Sequence, residues 1–122
     1  MESPFKGKTG LKRLINAIGY SFSGLKAAFK NEDAFRQEIF LTIVLVPLAF
    51  HIANNSIEIA LLLISTLLVP IVELLNSAIE TTVDRISLEQ HKLAKRAKDI
   101  GSAAVFLSLV NLSAVWLIII FY

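Results

Sequence analysis

The chain is 122 residues long and 55% hydrophobic, with a mean hydropathy of +0.66. That is too apolar for a soluble domain of this size and points to a membrane protein with no nucleic-acid partner. Cysteine is absent, which excludes a disulfide framework and a thiolate metal site, so any metal chemistry must use oxygen ligands. The formal net charge is only +2, and its placement says more than its sum: all twelve Lys and Arg lie either at or before Arg36 or between Arg85 and Lys98.

The basic stretch Met1 to Gly10 is followed by no compact apolar core with a small-residue cleavage site, so a removed signal peptide is not expected. Over residues 8–30, Leu11, Leu14, Ile15, Ile18, Phe22, Leu25 and Phe29 recur at helical spacing, with Lys12, Arg13, Asn16, Ser23, Lys26 and Lys30 largely between them. This predicts an amphipathic helix lying in the bilayer surface, its basic face drawn to anionic headgroups. Such a helix serves equally well as an anchor or as part of a site. Gly19 and Gly24 lower helix propensity, so a break or a close backbone approach is expected near Gly19-Tyr20-Ser21.

Asn31-Glu32-Asp33 interrupts the pattern and can cap the next helix. The apolar run from Ile39 to Ala53 gives only about 22 Å of helix against a hydrocarbon core of about 30 Å, so the first span is extended back to residues 35–53. Arg36 and Glu38 then lie at the interface, snorkelling or paired. Asn54-Asn55-Ser56 forms a turn without Lys or Arg, and the second span covers residues 57–80. Pro47 and Pro70 are expected to bend their spans, Pro70 one turn before Glu73. Ser87 and Gln90 stand at capping-box spacing before the basic run of Lys92, Lys95, Arg96 and Lys98. The third span, residues 101–122, is interrupted only by the polar residues Ser102, Ser108, Asn111 and Ser113. The positive-inside rule places the N-terminus and the 84–99 segment in the cytoplasm and the C-terminus outside. The fold expected is all-α: three transmembrane helices and a surface helix in one domain, residues 1–122.

Within the second span Glu73, Asn76, Glu80 and Asp84 share one helix face. An ionisable group in a transmembrane helix is costly and usually marks a substrate or ion pathway. With Glu32, Asp33, Glu38, Glu89 and Asp99 as further acids and Arg13, Arg36, Lys95, Arg96 and Lys98 as cations, the set suits a phosphate carried with a hard metal such as Mg²⁺. Neither a Walker A sequence nor a protein-kinase glycine loop occurs. Blander readings stand beside this one. Glu73 and Asn76 can bind helices together, Glu80 and Asp84 can be solvated, His91 can be a surface histidine, and Lys92 to Lys98 can face lipid headgroups.

The stretch ELLNSAIE from Glu73 to Glu80, Val83-Asp84-Arg85-Ile86, Arg96-Ala97-Lys98-Asp99 and Gly101-Ser102-Ala103-Ala104-Val105, with Asn31-Glu32 and Ala34-Phe35-Arg36-Gln37-Glu38 upstream, closely resembles the prokaryotic integral-membrane diacylglycerol kinase family. The likeness runs from Gly10 to the third span. It implies a homotrimeric helical bundle in the bacterial inner membrane that makes phosphatidic acid from diacylglycerol with MgATP. Carried over by position, Glu73 is the catalytic base with Asn76 beside it, and Glu32 and Glu80 hold the metal on the ATP phosphates. Arg13, Tyr20, Glu89, His91, Lys98 and Asp99 match ATP-contacting positions, and Ser21, Arg36, Glu38 and Ser102 match positions lining the lipid site. Gln90 and Phe22 depart from a tyrosine and a tryptophan of the family, and Pro47 and Pro70 are further departures. An undecaprenol kinase shares the acid and amide spacing, although the RAKDIGSAAV and AFRQE stretches look more like the diacylglycerol branch. A small oligomeric channel or transporter subunit, with Glu73 and Asn76 lining a cation path, is the alternative from a different class.

Overall fold

The computed structural model describes residues 10–86 and 92–122, and these are helical almost throughout: α1 (Gly10–Asn31), α2 (Asp33–Ile52), α3 (Ser56–Ile86) and α4 (Lys92–Phe121). The chain divides into two compact units, residues 1–31 and residues 32–122. Among the described residues the first contains α1 alone. That helix is strongly amphipathic and has no buried residue, with Leu11, Leu14, Ile15, Ile18 and Phe22 all exposed on it. It runs unbroken through Gly19 and Gly24, against the expected break. Two interior glycines cost a helix about 1 kcal/mol each relative to alanine, which lowers its stability without setting a boundary. Ser21 and Ser23 spend their hydroxyls on the carbonyls of Ala17 and Gly19, one turn back in the same helix.

The second unit begins at a single extended residue. Glu32 (φ −119°, ψ 111°) is the N-cap of α2, but its carboxylate makes no capping hydrogen bond. The first turn is supported instead by Asp33, an acid at the positive end of the helix, paired with Arg36. α2, α3 and α4 are each long and apolar enough to cross a membrane. α3 extends six residues past the expected end of its span, and α4 joins the basic run to the third span in one continuous helix. The helices also continue through Pro47 and Pro70. The proposed capping box at Ser87 and Gln90 lies outside the described residues.

The turn between α2 and α3 is closed by side chains. Asn55 Oδ1 accepts the Glu58 N–H (2.9 Å), while Glu58 Oε1 accepts the Asn54 N–H (3.1 Å) and Asn54 Nδ2 (3.4 Å). This reciprocal arrangement satisfies donors that a bare helix start would leave open.

α3 packs against both α2 and α4. The core is one cluster of Ala49, Leu62, Val69, Leu112 and Trp116, flanked by Leu45, Ile52, Leu63, Val115 and Ile119. Polar atoms inside it are paired: Trp116 Nε1 donates to Thr66 Oγ1 (3.1 Å), whose own hydroxyl donates to Leu62 O (2.7 Å). Ser65 and Ser108 bond back to the carbonyls of Leu62 and Val105. In hydrocarbon there is no water to take over such groups.

The pairing is asymmetric under mutation. Trp116→Phe removes the donor and leaves Thr66 bonded to Leu62, a loss of about 1 kcal/mol. Thr66→Val strands the indole N–H in an apolar core, a loss of about 1–3 kcal/mol. Unfolding free energies in detergent micelles should place Thr66→Val below Trp116→Phe; the reverse order contradicts this account.

Candidate active site

The acidic face of α3 is turned into the unit where the cost of charge is highest. Glu73 is 6% exposed and Asn76 is 8% exposed, so both are buried against neighbouring helices. They stand one turn apart, and Glu80 follows one turn later at a half-buried position. The Asn76 carboxamide lies between the two acids. Its Nδ2 donates to Glu73 Oε2 (3.4 Å) and to Glu80 Oε1 (3.2 Å), so one amide nitrogen serves both carboxylates. Asn76 Oδ1 is turned the other way, towards Gly101 of α4, and is buried without a hydrogen-bond partner.

Acids from α2 complete the cluster. Glu38 and Glu73 interact electrostatically across the α2–α3 packing, and Glu73 also feels the charges of Glu80 and Glu32. Glu38 Oε2 is buried and unpartnered. Glu32 at the N-cap of α2, Glu38 on α2 and Glu80 on α3 thus all act electrostatically on Glu73, a concentration of negative potential that favours a cationic or metal-bearing ligand. Among the described residues no three acids or histidines converge closely enough to enclose a metal ion by themselves. A two-carboxylate set completed by phosphate oxygens is the arrangement Mg²⁺ commonly takes, and the oxygen donors of Glu32 and Glu80 fit that chemistry.

Cations approach from α4. Lys98 Nζ pairs with Asp84 Oδ1 (2.5 Å), joining α4 to the last turns of α3, and Lys95 Nζ pairs with Asp99 Oδ2 (2.7 Å) along α4 itself. Both lysines precede the apolar part of α4, and the hydrogen bond to its carboxylate raises the pKa of each. Asp99 thus points to a different partner from its neighbour Lys98. A shallow groove of about 480 Å³ is lined by Lys92, Lys95, Arg96, Asp99, Ile100 and Ala103, all on α4, and excludes Glu73 and Asn76. Ser102 is exposed.

The other residues named from the sequence are distributed as follows. Arg36 pairs with Asp33 at the start of α2. Arg13, Tyr20 and Ser21 are on α1, which is a separate unit, and all three are exposed there. Glu89 and His91 lie outside the described residues. Sequence reasoning gave Gly101 no role, although it is buried and faces Asn76. The Lys98–Asp84 pair was missed as well.

The prokaryotic diacylglycerol kinase family model matches residues 19–120. The chain belongs to this family. It is similar to the diacylglycerol kinase of Pseudomonas aeruginosa, with 57% identity covering 93% of each chain. The diacylglycerol kinase of Haemophilus influenzae is 55% identical over 93% of this chain and 97% of its own, and that of Escherichia coli K12 is 48% identical over 92% of each. The family match takes in α2, α3 and α4, and so contains the whole acidic cluster of this diacylglycerol kinase family member.

Asn76 is the only hydrogen-bond donor shared by the two acids among the described contacts. Asn76→Asp replaces a double donor with a third acid between Glu73 and Glu80. It should destabilise the folded protein by at least about 1 kcal/mol more than Asn76→Ala, which merely removes the donor. Thermal unfolding of the two variants in the same detergent checks this; equal midpoints contradict the bridging role.

Proposed function

We propose that this chain is an ATP-dependent diacylglycerol kinase that makes phosphatidic acid at the cytoplasmic face of the bacterial inner membrane, acting as a homotrimer. The observation that carries the reading is the buried Glu73, hydrogen-bonded to Asn76 and tied through it to Glu80, in a member of this family. The N-terminus is cytoplasmic and the C-terminus outside in this reading, on the strength of the two Lys/Arg clusters.

Glu73 takes the proton of the diacylglycerol hydroxyl as its oxygen forms a bond to the γ-phosphorus of ATP, while the bond from that phosphorus to the bridging oxygen of ADP breaks. Phosphoryl transfer asks a protein chiefly for positioning and charge stabilisation. Asn76 supplies positioning, because it fixes the carboxylate of Glu73 relative to that of Glu80. Glu32 and Glu80 would hold Mg²⁺, which when bound would supply charge neutralisation to the phosphates. Glu32 is suited to this because its carboxylate is not committed to capping α2. Lys98 exchanges Asp84 for phosphate oxygens, and Asp99 orients its neighbours. Arg13, Tyr20, Glu89 and His91 complete the nucleotide site, and Ser21, Arg36, Glu38 and Ser102 line the lipid site, on the family resemblance.

Incubation of the purified protein with labelled ATP and a mixture of diacylglycerol and undecaprenol tests the reading. Label should pass to diacylglycerol. Preference for undecaprenol moves the enzyme to the other lipid alcohol, and no ATP consumption returns the chain to the channel class. In the same assay Glu73→Gln keeps shape and removes the base, so turnover should fall by at least about a hundredfold while nucleotide binding survives. Turnover within a few-fold of the parent removes Glu73 from the chemistry.

Glu32→Gln and Glu80→Gln should each raise the Mg²⁺ concentration needed for half-maximal rate, since each leaves phosphate charge partly uncompensated. A Mg²⁺ titration in which both variants superimpose on the parent rejects the metal assignment.

A further inference from the structure

Gly101 is buried where α4 meets the acidic face of α3. A Cβ built on it would fall on Asn76 Oδ1 and lie 3.2 Å from Asn76 Cγ and 3.9 Å from Asn76 Cβ. The oxygen end of the carboxamide is thus packed against Gly101, and the space a methyl group would need is filled by Asn76 Oδ1. Gly101 sits within a helix, so its left-handed freedom is irrelevant here. Its use is close approach.

Asn76 has two N–H bonds and two acids to serve, one turn before it and one turn after it. With both donors directed along α3, Oδ1 must project away from that line, towards α4. It finds no donor there and is buried without a partner. The amide is therefore held by its donors on one side and by steric contact with Gly101 on the other, with no hydrogen bond to its oxygen. A side chain at residue 101 would displace Asn76 Oδ1 and so rotate the amide away from Glu73 and Glu80.

We infer that Gly101 is a positioning residue for phosphoryl transfer: its bare Cα seats the Asn76 carboxamide so that one nitrogen ties the base Glu73 to the metal-binding acid Glu80. The inference rests on the function proposed above. Gly101 touches neither substrate nor metal in this account and acts through Asn76 alone. Lys98, three residues earlier on α4, pairs with Asp84, so a second contact joins α4 to α3 close to this one.

A double-mutant cycle tests this, because a residue that acts only through another loses its effect when the other is removed. Gly101→Ala in the parent should lower kcat by about tenfold or more with KM for MgATP changed less than about threefold, as a group that works in the transition state requires. In the Asn76→Ala background, where the space is vacant, Gly101→Ala should change kcat and unfolding midpoint little, the double variant turning over within about twofold of Asn76→Ala. That arm can be read even when the single Gly101 variant does not fold. A double variant about tenfold slower than Asn76→Ala overturns the inference, as does a Gly101→Ala single variant with parental kcat. If the parent transfers label to diacylglycerol and the cycle is additive, only the Gly101 inference falls. If the parent transfers none, the functional reading falls and takes the inference with it.

Discussion

Everything at the site depends on a carboxylate being kept in a helix that otherwise belongs in hydrocarbon. A lone acid at that depth costs a few kcal/mol, and three nearby acids raise the cost further. The protein answers with one amide. Asn76 gives both of its donors to Glu73 and Glu80, and the remaining end of the group is packed rather than bonded. A lysine at residue 76 would neutralise more charge, but in the function proposed above it would also compete with the metal for Glu80. An amide steadies the acids and leaves their charge available. Stability is given up for readiness, as is common where a site must receive a charged ligand.

Much of this was legible in the sequence because membrane helices announce themselves by length and hydropathy. The three spans, the amphipathic α1 and the shared face of Glu73, Asn76 and Glu80 all follow from counting at helical spacing. What could not be read were contacts between helices. That Gly101 lies against Asn76, that Lys98 reaches Asp84, and that Trp116 meets Thr66 fifty positions earlier all depend on how α3 and α4 are rotated about their axes. A pattern within one helix carries no such information. Helix continuity was misjudged for another reason. Gly19 lowers propensity locally, but a helix is cooperative over many residues, and the turns on either side carry it through.

Two stretches of α3 use polarity differently. Near Glu73 the polar groups are few, close together and incompletely satisfied, with Glu38 Oε2 and Asn76 Oδ1 both left without partners. In the middle of the span every described polar side chain has a local carbonyl or a cross-helix partner, as with Ser65, Thr66 and Trp116. Incomplete satisfaction thus coincides with the site proposed above, and complete satisfaction with the apolar core.

The turn at Asn54 and Asn55 has a bearing on how the protein enters the bilayer during synthesis. In the orientation proposed here this turn must be carried through the hydrocarbon ahead of α3, and the nearest acid to it is Glu58. That carboxylate is wrapped by the backbone N–H and side-chain amide of Asn54, while Asn55 closes the helix start. The leading tip thus carries its hydrogen-bond partners with it, with no lysine or arginine to hold it back. A hairpin built this way can translocate as a unit, so that the costly acids near the far end of α3 are the last part of the pair to reach their depth and never have to cross.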